Sequence, residues 1–266
     1  SSAASDVYKR QHMNNVTLSH VDKSYTTYST DIVLTGQERQ SRTRQVLRDL
    51  SVTLPEGQIT VIVGRSGCGK STLLKLLAGK EQPDAGTISI PEDWHSAMLS
   101  PDPYVITWTS VQRNVAMACG VGKTPEERYE HAAEFVRMVG LEDYADLTPV
   151  ELSTGMKQRL GLARVLAGQA QLLLMDEPFG ALDAQTRYLM QEELQRIWQT
   201  EKRTIIFVTN NIEEALYLAD RIIVLSNCPA TVKKEFVIDL PRPRDYVSPE
   251  FLELRKEITS IMDSTL

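Results

Sequence analysis

An α/β fold, with a mostly parallel sheet and flanking helices, is predicted by three observations. Continuous apolar runs recur at 59–63, 171–175, 204–208 and 221–225; runs that do not alternate with polar residues are strands buried on both faces. Stretches of helical spacing at 73–78, 184–199 and 212–219 separate them, the alternation that a parallel sheet needs for its crossovers. A glycine-rich turn joins the first of these strands to its helix. The 266 residues are 42% hydrophobic and 24% charged, an ordinary globular composition with ample chain for a core.

Taken in order, residues 1–12 show no periodicity and read as a disordered tail or scar, with Met13 as the expected start. Residues 16–21 alternate like an edge strand. The Thr-, Ser-, Gln- and Arg-rich stretch 26–45 reads as a long exposed loop. Strand character resumes at 46–54, and Pro55-Glu56-Gly57 turns the chain into the strand at 59–63. The first helix stops at Gly79; a turn at 83–86 and a short strand at 87–90 follow. Residues from about 101 to 170, with helical spacing at 125–139, are expected to form a helical subdomain inserted into the α/β core. The main domain is expected to span 13–240. After it, Pro241-Arg242-Pro243-Arg244 reads as a proline-spaced linker to an amphipathic helix ending near 262, so that 241–266 is an appended segment.

The net charge of −6 argues against a general nucleic-acid binder. Cys68, Cys119 and Cys228 lie far apart, in no metal-ligand spacing, and point to a reducing compartment rather than a disulfide framework. No apolar run approaches the ~20 residues a bilayer requires. A cytoplasmic protein is expected, with any membrane role exercised through a partner.

Two stretches carry chemistry. Gly64-Arg65-Ser66-Gly67-Cys68-Gly69-Lys70-Ser71-Thr72 lies between a buried strand and a helix, the context a phosphate-binding loop needs. Glycines allow successive backbone N–H groups to face a phosphate, and the helix adds the positive end of its dipole. Lys70 is expected to reach the β- and γ-phosphates of ATP, and the Ser71 hydroxyl to bind Mg²⁺. The strand at 171–175 delivers Asp176 and Glu177 at its C-terminal end, where ligands sit in an open α/β sheet. Asp176 is expected in the Mg²⁺ shell, and Glu177 as the group that polarises the attacking water. Leu152-Ser153-Thr154-Gly155-Met156 on its own reads as an ordinary helix start with Ser153 as the N-cap.

Together these segments resemble the ATP-binding subunit of an ATP-binding-cassette (ABC) transporter, from about residue 15 to the end of the chain. The resemblance implies a P-loop NTPase core with an antiparallel β subdomain. It makes Ser153, Thr154, Gly155 and Met156 the signature that closes over the ATP of the opposite subunit, with Thr154 where glycine is usual. It makes Asp183 of Ala181-Leu182-Asp183 the D-loop residue, and Tyr25 the aromatic that stacks on adenine, with Tyr28 as the runner-up. Gly64–Lys70, the run 176–183 and Leu240-Pro241-Arg242-Pro243-Arg244 are similar to the nitrate/sulfonate/taurine/bicarbonate importer branch.

Two departures from the family pattern stand out. Aligned on Trp108 and Asn114-Val115, the family's Mg²⁺-contacting Gln falls on Pro101, which has no side-chain donor or acceptor. The family's Val-Thr-His-Asp reads Val208-Thr209-Asn210-Asn211, so a shorter amide that cannot become cationic replaces the γ-phosphate His. The expectation is an importer's ATPase subunit on the inner face of the membrane, its own site weakened. It would be paired with a second cassette, transmembrane permease subunits and, indirectly, a solute-binding protein. The alternative is a non-hydrolysing, ATP-dependent clamp or regulatory subunit.

Overall fold

The computed structural model describes residues 14–28, 41–122 and 124–263. The expected tail at 1–12 and the middle of the polar stretch at 26–45 lie outside the described residues. Two sheets organise the chain. The larger has the order β5-β6-β7-β3-β8-β9, from β3 (Ile59–Val63), β5 (Ser96–Leu99), β6 (Leu172–Asp176), β7 (Thr204–Thr209), β8 (Arg221–Leu225) and β9 (Val232–Val237). All neighbours are parallel except β8 and β9, which are antiparallel. The smaller sheet has the order β2-β1-β4, from β1 (Val16–Tyr28), β2 (Ser41–Leu54) and β4 (Ala85–Ser89).

The apolar runs work because successive side chains leave a strand on opposite faces. Ile59, Val61 and Val63, with Leu173, Met175, Ile205 and Phe207, enter one core. That core is completed by α2 (Val111–Ala118), α3 (Pro125–Met138), α4 (Thr154–Ala167), α5 (Ala184–Glu201) and α6 (Ile212–Leu218). Ile62, Leu172, Leu174, Ile206 and Val208 enter the other, against Leu73, Leu74 and Leu77 of α1 (Lys70–Leu77) and Val16, Leu18, Leu47 and Leu54 of the small sheet. Each such side chain contributes about 1.5–3 kcal/mol on burial, so the sheet's interior, not its edges, fixes the register.

Four local expectations need correction. The segment 16–21 is not an edge: β1 is the central strand of its sheet, paired with β2 on one side and β4 on the other. Alternation reports one wet face and says nothing about the number of neighbours. The expected loop does not hold at its two ends, because β1 and β2 stay paired out to Tyr28↔Ser41; Thr26, Thr27 and residues 41–44 are exposed ladder positions. Strands β5 and β9 are additional, β9 being an edge whose Lys233-Lys234-Glu235 hides it from an apolar count. The proline-spaced segment is no loose linker. Arg244 is buried, its guanidinium donating to the carbonyls of Leu216 (2.6 Å), Tyr217 (3.3 Å), Ile238 (3.3 Å) and Leu240 (3.3 Å). Arg242 donates to Leu218 O at 2.7 Å and Asp220 Oδ1 at 2.8 Å, and lies 4.6 Å over the Trp198 ring. The pair supplies donors to the last carbonyls of α6, which a helix of that length cannot satisfy itself. Phe251 and Ile258 then bury one face of α7 (Pro249–Asp263) in the first core.

Arg244→Ala is expected to lower unfolding stability by about 3 kcal/mol, since it orphans buried carbonyls as well as removing packing. Lys at this position is expected to recover little of it, because an ammonium lacks the planar fork. Urea midpoints followed by circular dichroism measure both.

Candidate nucleotide-binding site

Strand β3 ends at Val63, and the chain turns through Gly64–Gly69 into α1. The turn is tight. A Cβ at Gly64 would lie 2.8 Å from Cys68 Sγ. Gly67 and Gly69 hold φ of +77° and +122°, and a Cβ on Gly69 would meet Leu47 Cδ2 at 2.9 Å. Only glycine meets both demands at Gly69. Lys70, the first residue of α1, is 5% exposed and folds its ammonium back over the loop, donating to Gly64 O at 2.8 Å and Arg65 O at 3.1 Å. No carboxylate among the described residues pairs with it.

Opposite stands the end of β6, one strand removed across β7. Asp176 is 3% exposed and faces the Ser71 hydroxyl. Burial raises its pKa, while the Ser71 hydroxyl and the charges of Lys70 and Lys75 pull it back. Thus Lys70, Ser71 and Asp176 converge. Glu177 follows with φ +47°, a left-handed backbone tied to β7 by Glu177 N donating to Val208 O at 2.9 Å. A non-glycine residue held there stores backbone strain, of a kind that gathers at functional sites. Register β5–β6 sets Leu99 beside Met175, so Ser100 and exposed Pro101 leave the sheet next to the acidic strand end.

Asn210 is exposed just past β7. Its neighbour Asn211 caps α6, its Oδ1 accepting from Glu213 N at 3.0 Å and Glu214 N at 3.3 Å. Glu214, which sequence patterning did not single out, is buried beneath this turn. It accepts from Gln191 Nε2 at 3.1 Å and lies within electrostatic reach of Thr209 and Glu177. Burial pushes its pKa up.

Ser153 caps α4, accepting from Met156 N at 3.3 Å. A Cβ on Gly155 would stand 3.3 Å from Ala181 O, so this turn packs on the loop before Asp183. Thr154 is exposed at the first helical position. Asp183 caps α5 through Thr186 N at 3.0 Å, and that backbone bond holds its pKa below the usual range. No hydrogen bond among the described residues joins 153–156 to 64–72. Tyr25 is half-buried on β1, its hydroxyl donating to Glu81 and lying 3.4 Å from Thr72 Oγ1. Of the Tyr28 side chain, the runner-up, nothing falls within the described residues.

A glycine cradle with a buried lysine, facing an acidic strand end across a parallel sheet, defines a phosphate-loop nucleotide-binding protein. Residues 47–180 match the family described as ABC transporter. An uncharacterised ABC transporter ATP-binding protein of Methanocaldococcus jannaschii is 41% identical over 225 residues, 82% of this chain and 84% of that one. The aliphatic sulfonates import ATP-binding protein SsuB of Rhodopseudomonas palustris is 42% identical over 216 residues, 80% of this chain and 76% of that one. Among solved structures, the dimeric ATP-binding cassette MJ0796 in a post-hydrolysis state with ADP and Pi superposes with a TM-score of 0.71 at 25% identity, covering 85% of this chain and all of that one. The chain belongs to the ABC transporter family as an ATP-binding subunit, an ATPase of the ABC type. No helix of the described residues is long and apolar enough to cross a membrane.

Asp176→Asn is expected to raise unfolding stability at neutral pH. A carboxyl whose folded pKa is raised opposes folding above that pKa and ceases to do so below its unfolded value. The advantage of the variant should therefore shrink as pH falls through the raised Asp176 range. Chemical denaturation at pH 8 and at pH 4 makes the comparison.

Proposed function

We propose that the chain energises an importer for a small oxyanion or sulfonate-like solute, of the nitrate/sulfonate/taurine/bicarbonate kind. The observation that carries this is the convergence of Lys70, Ser71 and Asp176 in a chain about 40% identical to aliphatic sulfonate importer subunits. Residues 64–72 bind the ATP phosphates, with Lys70 swinging from its own carbonyls to the β- and γ-phosphates. Ser71 and Asp176 are the side chains that fit Mg²⁺, which would offset charge on the transferred phosphate. Oxygens of the nucleotide's own phosphates would complete its shell. Glu177 orients the attacking water, and Tyr25 stacks on the adenine. Ser153, Thr154, Gly155 and Met156 serve the ATP of a second cassette, beside Asp183. We take 13–240 as the nucleotide-binding domain, 101–170 as its helical subdomain, and 241–266 as a packed appendage.

The permease partner docks on the helical side. Thr109, Arg113, Met117, Pro125 and Tyr129 line a groove of about 670 Å³; Met117 in it and Trp108, next to Thr109 in sequence, are 64% and 78% exposed. Exposed aromatic and Met side chains of this kind anchor protein interfaces. Docked there, the subunit sits peripherally on the inner face of the membrane, the solute-binding protein acting from the other side. A nucleic-acid role does not suit the charge of −6. In Met117→Glu, co-purification with the permease subunits is expected to fall at least tenfold, with ATP binding unchanged.

Pro101 and Asn210 support a finer reading, in which this chain's own site turns over poorly and its partner cassette hydrolyses. Loss of one transition-state donor typically costs about 10²–10³ in rate. Asn211 shows why Asn suits the second half of that turn, since it caps α6, but nothing comparable replaces the cationic group at Asn210. The purified chain is expected to show ATPase turnover about 10²-fold below an ordinary importer cassette, rising at least tenfold on Asn210→His with Pro101→Gln. Ordinary turnover by the unaltered chain alone would sink this reading. Tight ATP binding with no turnover even beside the partner would favour the alternative of an ATP-dependent clamp.

A further inference from the structure

The hydroxyl of Tyr25 is not left to solvent. It donates to the Glu81 carboxylate and reaches Thr72 Oγ1, on the last residue of the phosphate-loop stretch, at 3.4 Å. Glu81 is itself fixed, with its side chain 22% exposed and cations on two sides, Lys75 Nζ at 3.8 Å and Lys23 Nζ at 3.9 Å. Lys23 in turn donates to Gln82 O at 2.7 Å and Asp84 Oδ1 at 3.4 Å, and its ammonium lies 5.5 Å from the Tyr25 ring centroid. The turn carrying Glu81 is bound to β1 by Ser24 N donating to Asp84 Oδ2 at 2.6 Å and Asp84 N to Asp22 O at 2.9 Å. Three segments thus meet on one phenol: β1, the first turn of α1 and the turn at 81–84, the last two lying about 50 positions from the first.

We propose that Glu81 is a positioning residue for the nucleotide base, tethering the Tyr25 phenol so that the ring is already set when adenine arrives. The physical argument is preorganisation. A free tyrosine gives up rotamer freedom on stacking, and that loss subtracts from affinity; a ring pinned through its hydroxyl has given it up on folding. The same tether couples the base platform to Thr72, so the two ends of the nucleotide are gripped by one rigid unit. Burial and the carboxylate beside it also keep the phenol protonated, with its pKa raised, which preserves it as a donor. This inference rests on the reading of Tyr25 as the adenine platform.

Calorimetric titration of the full chain with MgATP and with Mg-tripolyphosphate, which lacks a base, tests both. Tyr25→Ala is expected to weaken ATP about tenfold, the scale of one aromatic–base stack, and tripolyphosphate less than twofold. Tyr25→Phe keeps the ring and loses the tether; Glu81→Ala loses the tether from the other side. Each is expected to weaken ATP about threefold to fivefold with tripolyphosphate unchanged, the double variant being no weaker than the worse single. Glu81→Gln, which still accepts from the phenol, should bind ATP nearly as the unaltered chain does. If Tyr25→Ala weakens ATP while Tyr25→Phe and Glu81→Ala do not, the tether is idle and the inference fails, with the platform intact. If Glu81→Ala weakens both ligands equally, its role is structural and the inference fails. If Tyr25→Ala leaves ATP affinity unchanged, the platform reading fails and the inference goes with it.

Discussion

A buried ammonium bonded, among the described residues, to the carbonyls of its own loop is the constraint on which this structure turns. Lys70 is 5% exposed and finds Gly64 O and Arg65 O, not a carboxylate. Holding a charge out of water costs several kcal/mol unless partners are well placed, and carbonyl dipoles only partly meet that cost. The loop has to be rigid to supply them, and its rigidity comes from outside. Gly64 is pressed on Cys68, Gly69 on Val46 and Leu47 of the small sheet. Across β7 the opposite charge, Asp176, is buried as well, with the Ser71 hydroxyl on it. The two sites oppose each other because β3 and β6 both pair with β7 in parallel, which brings their C-terminal ends level.

What the sequence discloses depends on whether a feature is contiguous. Strands β3, β6, β7 and β8 are legible because both their faces are buried, which leaves uninterrupted apolar runs. Strand β9 and the outer ladder of β1 and β2 are not, since their exposed faces carry lysine, threonine and arginine that read equally as loop. The same distinction divides the site. Residues 64–72 and the pair Asp176-Glu177 announce themselves because their chemistry lies in one unbroken stretch. Glu81 and Glu214 do not. Their meaning comes from Tyr25, 56 positions away, and from Gln191, 23 positions away, and no local pattern carries such distances.

The turn after β7 separates the groups that hold the scaffold from the side chain at 210. Asn211 keeps the helix cap with a neutral oxygen, and Glu214 below it remains buried and hydrogen-bonded. Arg242 and Arg244 hold the far end of the same helix. The frame is therefore held at both ends, and Asn210 is an exposed side chain that the frame does not need.

One seam joins the two sheets. Ala230 N donates to Val46 O at 2.7 Å, Arg48 N to Ala230 O at 3.0 Å, and Cys228 Sγ contacts Gln45 O at 3.2 Å, all on the flank of Gly69. A ligand that spans Tyr25 on the small sheet and Lys70, at the start of the helix that follows β3, would bridge this seam a second time. Local opening of the small sheet would have to release both connections at once. A nucleotide held at both places would be felt as heat resistance of the molecule as a whole, and not as the quieting of a single loop.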